Sequence, residues 1–115
     1  MSRSSTTTKA ESGIPIAHPG RLLKREITAR GVSANRLSLS LGVPSGRITD
    51  ILNGRRGITA DTAVRLGLYF GNSPQFWLDL QSQFDIAVVE RDRGAAIARS
   101  VRPADAGLPY YSAGL

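Results

Sequence analysis

Apolar residues recur through the middle of the chain at helical spacing, in short runs divided by glycine and proline. Leu22, Leu23 and Ile27 predict a first helix from about Pro19 to Arg30, with Lys24, Arg25 and Arg30 outward. Proline is favourable near a helix start because its missing N–H is not needed there, and Gly31 fits a C-terminal stop. Leu37 and Leu41, at i and i+4, predict a second helix over about 33–41, with Ser33 as N-cap and Gly42 at its end. Ile48, Ile51 and Leu52 predict a third over about 45–52, stopped by Asn53-Gly54. Ala63, Leu66, Gly67 and Phe70 give a fourth, opening at Thr59 or Asp61. Ser73-Pro74 is a cap followed by proline at the first helical position. It opens a fifth helix to about Glu90, striped by Trp77, Leu80, Phe84 and Val88. No segment alternates convincingly as a strand, so the expected fold class is all-α.

Outside these runs the periodicity fades. Residues 1–17 are rich in Ser and Thr, with Gly13 and Pro15, and read as a flexible N-terminal segment. Residues 91–115 carry Gly94, Pro103, Gly107, Pro109 and Gly114, and read as a partly irregular C-terminal extension, compatible with a short helix near Ala95 to Val101. A chain of 115 residues holds one small domain, and a hydrophobic share of 41% allows a packed core. There are no cysteines, which excludes disulfides and thiolate metal sites. No run approaches the roughly 18 apolar residues that span a membrane. The polar N-terminus lacks a signal-peptide core, so the expected location is cytoplasmic.

The net charge of +6 is unevenly placed. Residues 19–70 carry the excess of Lys and Arg, whereas residues 71–90 hold Asp79, Asp85 and Glu90 and no Lys or Arg. A basic region attracts a polyanion by counterion release, although charge alone fits ordinary surface equally well. Residues 33–56 sharpen the choice. Two short helical patterns flank a Gly-Val-Pro turn, and the second has small or polar residues opposite its apolar side: Ser45, Gly46, Arg47, Thr49 and Asp50. Such a helix suits insertion into a DNA major groove. No Ser/His/Asp set, paired carboxylates or glycine-rich phosphate loop stands out, and His18, the single histidine, has no second ligand nearby for a metal. The chain is therefore expected not to be an enzyme, with no cofactor, no metal and no small-molecule substrate.

Three segments extend this reading. They are His18-Pro19-Gly20-Arg21-Leu22-Leu23, Asn53 to Leu66 (NGRRGITADTAVRL) and Ser73 to Gln81 (SPQFWLDLQ), the last followed by Phe84-Asp85-Ile86. Together they resemble the HigA-type antitoxins, within the lambda-repressor-like (Xre-type) helix-turn-helix superfamily. The match covers about residues 18–90. It implies a five-helix lambda-repressor-like domain there, serving DNA binding and dimerisation, with flexible tails on both sides. Two positions depart from the pattern: Ala34 stands where the family often has Gln, and Ser38 where it usually has Ala.

The resemblance implies an antitoxin that neutralises a HigB/RelE-like mRNA-endonuclease toxin by direct binding. It also implies a homodimer that represses its own toxin–antitoxin operon by binding double-stranded operator DNA. Ser45, Gly46, Thr49 and Asp50 match the family's base-facing positions, with Arg47 beside them. Asn53, Arg55 and Arg56 sit in a loop that tracks the DNA backbone in the family, and arginine suits phosphate by charge and geometry. Ser33 caps a helix whose free N–H groups suit a phosphate, with Arg36 a further phosphate candidate. Trp77, Leu80 and Phe84 fit core, dimer interface or toxin contact, and family analogy favours a shared core and dimer role. The acidic fifth helix is expected to avoid DNA and to suit a basic toxin surface. Two alternatives remain: a stand-alone Xre-type regulator without a toxin, and an interaction adaptor that has lost DNA readout.

Overall fold

The computed structural model describes residues 16–104, so the flexible character expected for residues 1–15 and 105–115 lies outside the described residues. Five helices follow in order: α1 (Pro19–Ala29), α2 (Ala34–Leu41), α3 (Ser45–Leu52), α4 (Ala60–Phe70) and α5 (Pro74–Ser100). Among the described residues there is no strand, and no helix is long and apolar enough to cross a membrane.

Four of the five helices begin on a side-chain cap. The His18 ring nitrogen accepts from Gly20 N–H at 2.9 Å, and Ser33 Oγ accepts from Arg36 N–H at 3.0 Å. Thr59 and Ser73 do the same for Thr62 and Phe76. Each such bond satisfies an N–H that the helix leaves without a partner, worth typically about 1 kcal/mol. α2 ends on Gly42, whose φ of 72° is the left-handed conformation glycine adopts without strain. Val43 N–H then returns to the Ser38 carbonyl at 3.0 Å, and this closes the turn into α3.

The core draws on every helix. Leu23 and Ile27 of α1 meet Leu37 and Leu41 of α2, Ile48 and Ile51 of α3, Ala63 and Leu66 of α4, and Ile58 from the loop before α4. Trp77 closes it from α5, 1% exposed, with its indole N–H donated to the Asn72 side-chain carbonyl at 2.9 Å. Ser38 is equally buried and satisfies its hydroxyl on the Asn35 carbonyl at 2.7 Å. Leu22, Leu52, Phe70 and Leu80 are partly buried and pack around this centre.

One expectation needs correction. The fifth helix does not stop near Glu90 but runs unbroken to Ser100, about 40 Å at 1.5 Å per residue. Residues Arg91 to Ser100 are mostly good helix formers, and Gly94 weakens the helix by only about 1 kcal/mol. The first strong stop is Pro103, which disfavours helical geometry in the residue before it; Val101 is already extended. Trp77, a candidate for core, dimer interface or toxin contact, is buried in the core of its own chain. The large apolar residues that α5 exposes are Phe76, Ile86 and Val89.

α1 and α3 cross closely at Gly20, where an added Cβ would collide with the Ile51 carbonyl. Gly46 on α3 is the opposite case, with open space around it. Gly20→Ala is therefore expected to destabilise by about 1–3 kcal/mol through forced displacement. Gly46→Ala should stabilise by about 0.5–1 kcal/mol through helix propensity. Thermal melting followed by circular dichroism checks both: the first Tm should fall by several degrees and the second should rise.

Candidate nucleic-acid interface

α3 is fixed from below and open above. Ile48 and Ile51 are fully buried, and at 3.6 residues per turn this turns Ser45, Gly46 and Thr49 outward, where all three are exposed. The absence of a side chain at Gly46 leaves a shallow place between Ser45 and Thr49. Asp50 sits half-buried at the edge of this face. α2 packs against α3, with the Ser33 cap and exposed Arg36 at its N-terminal end.

The arginines divide into two groups. Arg55 Nη2 donates to Asp50 Oδ1 at 2.9 Å, and Arg56 Nη2 lies 3.6 Å from Asp50 Oδ2. Both belong to the loop that follows α3 at exposed Asn53, and the Arg55 N–H returns to the Asp50 carbonyl at 2.8 Å. The structure thus brings together an acceptor and two phosphate candidates that the sequence suggested separately. Exposed pairs of this kind are worth about 0–1 kcal/mol, so an incoming phosphate can exchange with the carboxylate.

Arg47 behaves differently. It turns from the outer face toward α4, donating to Asp61 Oδ1 at 2.9 Å. Asp61 also accepts from Arg65 Nε at 2.8 Å, and Arg65 Nη1 donates to the Leu41 carbonyl at 2.8 Å. Arg65 therefore covers a carbonyl left open at the C-terminal end of α2, while Asp61 ties α4 to α3. The two guanidiniums, Arg65 foremost, hold the Asp61 carboxyl below its ordinary pKa. Sequence reasoning missed this trio. The Asp61/Arg65 spacing of i, i+4 was a local signal for one pair, but Arg47 reaches Asp61 across 14 positions.

Two further residues shape the loop. Gln81 of α5 accepts from Ile58 N–H at 2.7 Å and donates to Asp85 at 2.9 Å. His18 meets the Phe84 ring edge-on, 4.9 Å between centroids. Phe84, a dimer candidate, is accordingly half-buried, and so is Leu80. Burial lowers the His18 pKa from its ordinary 6.5, against the opposing pull of Asp85 and the Arg56 backbone. Neutral His18 is what the cap requires, since protonation would remove the acceptor for Gly20 N–H.

These features define a helix-turn-helix domain whose third helix presents a small, polar face bordered by arginines. No protein-family model matches the chain. Virulence-associated protein I of Dichelobacter nodosus is 43% identical over 81 residues, covering 70% of this chain and 75% of that protein. Antitoxin HigA-1 of Vibrio cholerae is 32% identical over 85 residues, 73% of this chain and 79% of that protein. Among solved structures, an addiction-module antidote protein of the HigA family from Coxiella burnetii aligns with a TM-score of 0.75 and 44% identity, covering 78% of this chain and 99% of that one. The Pseudomonas aeruginosa antitoxin HigA, solved with the higBA promoter, aligns with a TM-score of 0.75 and 36% identity, covering 79% and 100%. The chain belongs to the HigA family of helix-turn-helix antitoxins.

The lowered pKa of His18 has a sign that can be tested. A base depressed in the fold contributes its full stability above 6.5, its ordinary value, and loses it as pH falls from there through the lowered folded value. The urea midpoint is expected to drop between pH 7.5 and pH 5.5. His18→Asn keeps a capping side chain without a titrating ring and should flatten that drop.

Proposed function

We propose that this protein is an antitoxin that binds a HigB/RelE-like mRNA-endonuclease toxin directly and, as a homodimer, represses its own operon by binding operator DNA. The observation that carries the DNA half is the outward face of α3, bordered by Arg55 and Arg56. A family member of the same fold has been solved with the higBA promoter, which supports DNA binding here. In this reading Ser45, Thr49 and Asp50 address base edges, and Gly46 lets the backbone approach. Asn53, Arg55, Arg56, Ser33 and Arg36 address phosphates. Arg47 acts indirectly, by holding α3 to Asp61.

The dimer is proposed to form along α5. Leu80 and Phe84 are half-buried on the side of α5 that carries Trp77, Ile86 and Val89 are exposed on the opposite side, and the helix beyond Val89 is exposed almost throughout. A polar-flanked helix that buries so little within its own protomer is better supported with a second copy against it. Two recognition helices related by such an axis would read half-sites about one helical turn apart. The acidic side chains Asp79, Asp85 and Glu90 suit contact with a basic toxin rather than DNA.

Fluorescence anisotropy with the duplex upstream of its own gene tests the repressor half, and absence of binding at low salt rejects it. Arg55→Ala with Arg56→Ala should weaken binding on all sequences and reduce the salt slope by about 0.9 per phosphate left unneutralised. Gly46→Gln should leave the fold intact and cost at least tenfold on the operator. Co-expression with the adjacent reading frame tests the antitoxin half. A tagged antitoxin should retain a small basic toxin, and failure to do so favours a stand-alone regulator.

A further inference from the structure

The outer surface of α1 carries cations with no role in the interface described so far. Arg21, Lys24 and Arg25 line an open groove of about 730 Å³ whose far wall is Leu52, the last residue of α3. Among the described residues, none of the three pairs with a carboxylate. The other basic residues near α3 do: Arg47, Arg55 and Arg56 all have acidic partners.

The position of Leu52 decides what this groove faces. At about 100° per residue, Leu52 falls on the flank of α3 next to Ser45, between the buried side of Ile48 and the outward side of Thr49. Asp50, which holds Arg55 and Arg56, falls on the other flank. The outward face is thus bordered by cations on both sides, from the α3–α4 loop on one and from α1 on the other. A duplex seated over a recognition helix has a sugar–phosphate strand on each side of its major groove, roughly 12 Å apart.

We infer that Arg21, Lys24 and Arg25 form a second phosphate-binding ridge that grips the DNA strand opposite the one met by Arg55 and Arg56. This rests on the DNA-binding reading above. The ridge adds charge without touching bases, so it raises affinity for every sequence and makes binding more salt-dependent. Close packing of α1 on α3 at Gly20 holds the ridge at a fixed distance from the base-reading face.

The test is anisotropy at several salt concentrations, with the upstream duplex and an unrelated duplex of equal length. It compares wild type with the variant Arg21→Ala, Lys24→Ala, Arg25→Ala and with the conservative variant Arg21→Lys, Arg25→Lys. All three side chains are exposed or line an open groove, so melting temperatures should stay close to wild type. The alanine variant is expected to weaken on both duplexes alike and to lower the salt slope by up to about 0.9 for each phosphate it no longer neutralises. The lysine variant should keep most of the slope. Wild-type binding together with an unchanged slope in the alanine variant overturns the ridge and leaves the repressor reading standing. No binding by wild type at low salt overturns both. An unchanged slope in an alanine variant that also fails to retain the co-expressed toxin overturns the ridge and assigns the groove to the toxin contact.

Discussion

The crossing of α1 over α3 governs this domain more than any other packing interaction. Gly20 lets the two backbones meet with the Ile51 carbonyl between them, closer than any side chain permits. That closeness seats Ile48 and Ile51 in the core and so fixes which way Ser45, Gly46 and Thr49 point. It brings the His18 cap near the loop that carries Arg56 and lays the cations of α1 beside Leu52. One residue without a Cβ thereby sets the pitch of the recognition helix and the spacing of the positive charge around it.

The loop after α3 has few apolar residues of its own, with Ile58 alone in the core. Its shape comes from polar bonds supplied by three elements. Asp50 of α3 holds the arginine side chains, His18 before α1 adjoins its backbone, and Gln81 of α5 takes the Ile58 N–H. The helix proposed to carry the dimer interface is therefore also one that shapes the proposed phosphate loop. A change along α5 has a short physical route to the DNA side through Gln81.

The helices and most of the core were legible because burial imposes a period on the sequence. Leu23, Leu37, Ile48, Ile51 and Leu66 sit where the spacing of apolar residues puts them, and Ser33 and Ser73 cap where residue type says they should. The end of α5 was not legible. Beyond Glu90 no apolar stripe marks a helix, and propensity alone carries it to Ser100. The Arg47–Asp61 link was hidden for another reason: it joins separate helices, and an ion pair between distant side chains leaves no periodic trace. Trp77 shows the limit of a stripe, which tells that a residue is buried without telling whether its own chain or another covers it.

Asp50 gives the candidate interface an unusual property. The surface proposed to receive DNA carries, at its edge, a carboxylate already bound to two of its cations. It serves as an internal counterion, tethered and so never diluted. Any duplex that claims Arg55 and Arg56 must leave that carboxylate either facing a phosphate or matched to a hydrogen-bond donor. A base pair that offers an amino group at that point relieves the conflict, and one that does not leaves it in place. On the proposed reading, discrimination on this surface begins as a penalty for the wrong sequence, built into the resting protein, before any favourable interaction with the right one is counted.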